Sequence, residues 1–83
     1  MQTIKELLNQ IKWDKSKKPE EYTVLYEEKK ENKLEEIRYL EIKKIEGNFM
    51  TIEKDSEEVE IPLHLVREVR RTGKLVWRRT SAV

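Results

Sequence analysis

The chain has 83 residues, of which 42% are charged, with 18 Lys plus Arg against 17 Asp plus Glu. That length supports a single domain (1–83) with one modest core and a shallow working surface, not two domains or a deeply enclosed active site. Zero Cys excludes disulfides and thiolate metal sites, and one His argues against a His-built zinc cage, so no metal and no cofactor are expected. No apolar run approaches the roughly 18 residues of a membrane-spanning helix, and the N-terminus lacks a signal-peptide h-region; a cytoplasmic protein with no membrane partner is the expectation.

Thr3-Ile4-Lys5-Glu6 has the form of a capping box, in which the Thr hydroxyl and the Glu carboxylate satisfy free backbone N–H groups. Ile4, Leu7, Leu8 and Ile11 then follow the i, i+3, i+4, i+7 spacing of one helix face, which predicts a core-packed helix over 3–12. Trp13-Asp14 opens a polar break, Lys15 to Lys18, that either flanks a basic region or is a solvated loop. Pro19 can start a single helical turn through Glu21. The Trp13 ring is expected to close the helix end over the core, with base stacking as its alternative role.

Tyr22 to Tyr26 is rich in β-branched and aromatic residues, and Glu31-Asn32-Lys33 is a polar turn, which predicts a hairpin of strands 22–30 and 34–39. Alternation puts Tyr22, Val24 and Tyr26 on one face. Asp55 to Glu58 signals a turn between strands 49–54 and 59–61, and Thr72-Gly73 another between 66–71 and 74–79. Pro62 cannot donate to a ladder, so pairing should stop there and leave the backbone near His64 open. The segments 37–45 and 61–69 align at an offset of 24, with apolar matches at the first, sixth and ninth positions and a basic match at the seventh. Two copies of strand, helical turn, strand, hairpin, strand account for this, as does a shared amphipathic pattern. The predicted class is α+β: one N-terminal helix packed on a small, mainly antiparallel sheet of about five to six strands, with short helical turns. The Lys, Glu and Ile bias suits the ion-pair networks of heat-adapted proteins, so melting above about 60 °C is expected.

Ile61 to Arg79 holds the only His, one Trp and five of the six arginines. Six basic residues in 67–79 face one acid, Glu68, while the rest of the chain carries net −4. Function is expected here.

Trp13-Asp14, Pro19-Glu20-Glu21-Tyr22, Ile61-Pro62-Leu63-His64 and Gly73-Lys74-Leu75-Val76-Trp77-Arg78-Arg79, in that order, resemble a small, mainly archaeal family. It is catalogued as domain of unknown function 504 or uncharacterised protein family 0248. The resemblance runs from Thr3 to Arg79 and implies recognition of RNA ends carrying a cyclic phosphate, so RNA is the implied partner. In the family pattern the His is usually followed by Arg; here the residue is Leu65.

A 2′,3′-cyclic phosphate is a monoanion that calls for forked N–H donors, a further directional donor and an aromatic face for the base. His64, Arg67, Arg70, Arg71, Arg78 and Arg79 are the candidate phosphate contacts, with Arg78 and Arg70 expected as neighbours across the hairpin. Trp13, Asp14, Tyr26 and Trp77 are candidate stacking or supporting residues, Trp77 fitting a core position equally. The same arginines fit a surface paired with the chain's own acids, or a basic edge strand docking an acidic protein partner. His64 fits a structural role as well as phosphate donation, or proton transfer in a small cyclic phosphodiesterase. A non-catalytic RNA-binding module is the expected function.

Overall fold

A computed structural model describes residues 3–14 and 16–79; Lys15 of the polar break and the two chain ends lie outside them. Helix α1 spans Ile4–Trp13. The Thr3 hydroxyl accepts the Glu6 N–H at 3.1 Å and donates to the Glu6 carboxylate at 3.1 Å, so the capping pair forms, although these two bonds join the side chains to each other and to Glu6 alone. The predicted apolar row Ile4, Leu7, Leu8 and Ile11 is buried. At the other end Asp14 turns extended, its N–H bonded to the Gln10 carbonyl and its carboxylate accepting from the Ser16 N–H and hydroxyl.

Seven strands follow: β1 (Tyr22–Glu28), β2 (Lys33–Arg38), β3 (Ile42–Glu46), β4 (Phe49–Lys54), β5 (Glu57–Pro62), β6 (Val66–Arg71) and β7 (Lys74–Arg78). They form two antiparallel sheets, ordered β2-β1-β6-β7 and β3-β4-β5. The α+β class holds, with seven strands in two sheets in place of five to six in one. The added strand is β3, whose Ile-Lys-Lys-Ile-Glu sequence reads as weakly as a loop because its two apolar residues are only half-buried.

A three-residue 3₁₀ turn precedes β1, β3 and β6, at Pro19–Glu21, Tyr39–Glu41 and Leu63–Leu65. Each is entered from an extended residue and closed by the next strand's first N–H bonding back to the turn's first carbonyl. The second and third turns stand at the offset of 24, and the element order strand, turn, strand, hairpin, strand occurs twice, as the sequence alignment predicts. The basic match at its seventh position marks a β-bulge in both copies. Lys43 is skipped between the pairs Ile42↔Ile52 and Lys44↔Thr51, and Arg67 between Tyr26↔Val66 and Leu25↔Glu68. An extra residue in one strand bends it and re-aims its side chain, and each of these cations reaches a glutamate on a neighbouring strand, Glu53 and Glu27.

The tight hairpins use left-handed residues where their turns require them. Asp55-Ser56 have φ of 52° and 65°, and Thr72-Gly73 have 48° and 85°, a positive pair at both central positions as in type I′ turns. The Thr72 N–H also donates to the Glu21 carbonyl, tying the last hairpin to the first 3₁₀ turn.

One apolar cluster joins the α1 row to both sheets, through Tyr22, Val24 and Tyr26 of β1, Met50 and Ile52 of β4, and Val66 and Val69 of β6. The buried Tyr39 hydroxyl donates to the Leu8 carbonyl at 2.9 Å, pinning the second 3₁₀ turn to the helix. Trp13 departs from expectation: it is 75% exposed, with the Lys12 ammonium 5.2 Å from its ring centre. The α1 row is already filled by aliphatic side chains, and Trp13 follows Ile11 by two positions, about 200° around the helix.

Candidate functional site

The C-terminal hairpin places its arginines beside glutamates that sequence distance conceals. Arg67 donates through Nε and Nη2 to Glu27, 40 residues away. Arg71 Nε donates to Glu21 at 2.9 Å, 50 residues away, with its guanidinium 5.5 Å from the Tyr22 ring centre. Arg70 binds Glu68 two positions along its own strand, at 3.1 and 2.8 Å. The electrostatics agree: the hydrogen bond and charge of Arg67 hold the Glu27 carboxyl below its ordinary value, and the Glu21 hydrogen bond raises Arg71. Three of the six candidate phosphate contacts therefore already face carboxylates.

Arg78 is not the cross-strand neighbour of Arg70. The two-residue Thr72-Gly73 turn sets Arg71↔Lys74 and Arg70↔Leu75; a bulge at Val76 then brings Trp77 opposite Val69 and Arg78 opposite Glu68. Alternation along 74–79 cannot be carried through a bulge, because one extra residue reverses the faces beyond it. Arg78 is exposed on this edge strand and forms no ion pair among the described residues.

Arg79 is held differently from all of these. Its Nε donates to the Val66 carbonyl and its Nη2 to the Leu63 carbonyl, both at 3.0 Å, with the guanidinium 5.4 Å from the Trp77 ring centre. The backbone around His64 is thus occupied, not open as Pro62 led one to expect: Leu63 N–H donates to Asn48, and the carbonyls on either side of His64 accept from Arg79. Neutral carbonyls fix the guanidinium without cancelling its charge. Trp77 is half-buried against the core under that guanidinium. Tyr26, at 5% exposure, has its ring in the core and offers no open stacking face, while burial, followed by Glu35, raises its phenol. The Asp14 carboxylate is lowered by its bonds to Ser16 and serves the turn after α1.

Two shallow concavities meet at Arg79. The larger, about 470 Å³, includes Lys33, Arg67 and Arg78 but also Glu27 and Glu68 in its walls. The other, about 390 Å³, is lined by Thr3, Ile4, Lys5, Asn48, Leu63, His64 and Arg79, with no carboxylate among them. His64 is exposed at the middle of its 3₁₀ turn, so its ring nitrogens are accessible. Thr3, Lys5 and Asn48 escape sequence reasoning because they come from the helix start and the β3–β4 turn, and only folding brings them to His64. The Gly47-Asn48 dipeptide does signal the turn, with Gly47 at φ 55°, but not what it faces. Leu65 is half-buried against the core. Among the described residues no group of three or more His, Asp or Glu is placed to hold a metal ion, and no helix is long and apolar enough to cross a membrane.

A family model described as "MJ1316 RNA cyclic group end recognition domain" matches residues 1–79. The chain is 34% identical over 79 residues to a UPF0248 protein of Saccharolobus islandicus (strain M.14.25), covering 92% of this chain and 98% of that protein. It is 33% identical over 79 residues to a UPF0248 protein of Metallosphaera sedula, covering 95% of each. No solved structure matches.

Proposed function

The chain belongs to this family of RNA cyclic group end recognition domains, and we propose that it is a binding module for RNA ends bearing a 2′,3′-cyclic phosphate, seated at the His64 turn. The observation that carries the reading is the acid-free concavity around a guanidinium that two carbonyls hold in place. A phosphate monoanion is favoured where donors are pre-aimed and the described lining side chains include no carboxylate; Glu6, bonded to the Thr3 hydroxyl, stands behind the wall. Arg79 supplies fixed positive charge, His64 a directional ring N–H, Lys5 a mobile ammonium and Asn48 an amide able to reach ribose hydroxyls. Arg78, exposed and unpaired with acid, adds long-range attraction for the strand. This shifts the end-binding contacts away from Arg67, Arg70 and Arg71, whose charges are offset, and toward Arg79.

The test is binding of one RNA oligomer with either a 2′,3′-cyclic phosphate or a 3′-hydroxyl end, by fluorescence anisotropy over a salt series. A preference for the cyclic end of about tenfold, worth about 1.4 kcal/mol, is expected. Equal affinity would sink end recognition, and absence of binding even at low salt would sink RNA binding, since phosphate contacts are strongest there. A second reading has one observation in its favour: β7 is an edge strand that exposes Leu75 (51%) and Val76 (48%) between Lys74 and Arg78, which suits addition of an acidic peptide strand. Co-purification with a protein and no nucleic acid supports that reading instead.

A further inference from the structure

The exposed side of α1 carries Lys5, Asn9 and Lys12 at i, i+4 and i+7, a single row along the helix. Lys5 belongs to the His64 concavity; Asn9 and Lys12 belong to a separate one of about 150 Å³, shared with Tyr39, Lys43 and Lys44 and again without a carboxylate in its walls. Lys43 is engaged by Glu53 and Glu58 from outside it. Lys44 Nζ stands 3.7 Å from Glu46, both more than half exposed, a pairing that water and salt largely screen. Lys12 has no ion pair among the described residues and lies over the ring of Trp13, the most exposed large apolar side chain described.

We propose that this concavity is a second phosphate subsite, for an internal phosphodiester of the RNA strand whose end sits at His64, and that Trp13 stacks the adjoining base. The proposal rests on the end-binding reading above. Seven helical residues at about 1.5 Å each set Lys5 and Lys12 about 10 Å apart, the span of about three stacked nucleotides at roughly 3.4 Å each. A strand entering from the terminal phosphate therefore follows one helix face, meets two ammonium groups at Lys12 and Lys44, and ends against an open indole. Stacking on an exposed aromatic beside cations is how sequence-tolerant single-strand binding is built.

The experiment compares a nucleoside 2′,3′-cyclic phosphate with oligomers of two, four, six and eight nucleotides carrying the same end, on the full chain and on a Lys12→Ala, Trp13→Ala, Lys44→Ala triple variant. All three side chains are exposed, so the variant is expected to fold, which circular dichroism checks. Affinity of the unmodified chain should rise at least tenfold between one and about four nucleotides, in line with stacking of a base. In the triple variant the rise disappears, the mononucleotide binds within about twofold of the unmodified chain, and the salt slope for the longer oligomers falls by roughly 0.7, for the one lost phosphate contact. A flat length series for the unmodified chain, or a rise that survives the triple substitution, overturns the subsite. A parallel series ending in a 3′-hydroxyl that binds the unmodified chain equally well, with the length dependence intact, overturns end recognition and leaves the subsite standing.

Discussion

On the β1 side of the C-terminal hairpin, Arg67, Arg70 and Arg71 each meet a glutamate, whereas at the His64 turn Arg79 is held by two neutral carbonyls and faces a concavity with no carboxylate among its described lining residues. His64 and Arg79 flank the three arginines in sequence, and both regions carry positive charge. They differ in what that charge is doing: in the first it is offset by partners from β1, the first 3₁₀ turn and β6 itself, and in the second it is fixed in position and left for a ligand. Counting cations locates the region; the identity of each cation's partner decides which part of it can bind an anion.

Replacing Arg79 tests the contrast most severely. Arg79→Ala removes the fixed cation and its charged hydrogen bonds to two carbonyls, so it is expected to cost about 1–3 kcal/mol in urea unfolding and about 100-fold in affinity for cyclic-phosphate RNA. Arg79→Lys, which keeps charge but loses the fork, should recover only part of both. His64→Ala should lower cyclic-end affinity about tenfold while moving stability by no more than about 0.5 kcal/mol, the usual range for an exposed side chain; an equal loss for hydroxyl-ended RNA would show that His64 does not read the end.

Glu27→Gln works from the other side, by releasing Arg67. Because the folded chain holds the Glu27 carboxyl below its ordinary value of 4.5, its stabilising effect is complete above that pH and is lost as pH falls through the lowered value. The variant should therefore show a shallower loss of stability with acid below about pH 4.5 than the unmodified chain, seen in thermal melts across pH. Its RNA affinity should rise a few-fold for cyclic and hydroxyl ends alike, since the freed guanidinium lies outside the acid-free concavity. The smallest effect is expected for Arg70→Ala, whose half-exposed pair with Glu68 is worth within about 1 kcal/mol; a large loss of end preference there would overturn the division between the two regions.

Much of the architecture was legible because it follows local rules. The α1 row, the 3₁₀ turn begun by Pro19, the alternation that buries Tyr22, Val24 and Tyr26, and the two-residue turns at Asp55 and Thr72 each rest on spacing or on backbone preferences within a few residues. Even the offset of 24 carried structural information, since its matched basic residues, Lys43 and Arg67, are the two bulged cations. Read by its own composition, β3 was too polar to stand out and only the offset of 24 implied it, while the bulge at Val76, which no residue type announces, moved Arg78 opposite Glu68.

The site was legible only as a neighbourhood. The sequence by itself determined the helix face, the strand and turn periods, the family and the concentration of arginine near His64, because those depend on neighbours along the chain or on the order of short motifs. The tertiary structure alone decided that Glu27 and Glu21 meet Arg67 and Arg71, that Arg79 closes on the carbonyls beside His64, and that Lys5 and Asn48 complete that concavity. Those partnerships join residues at least 13 positions apart. They depend on where two sheets and one helix come together, and a charge has no availability to a ligand until that packing has assigned its partners.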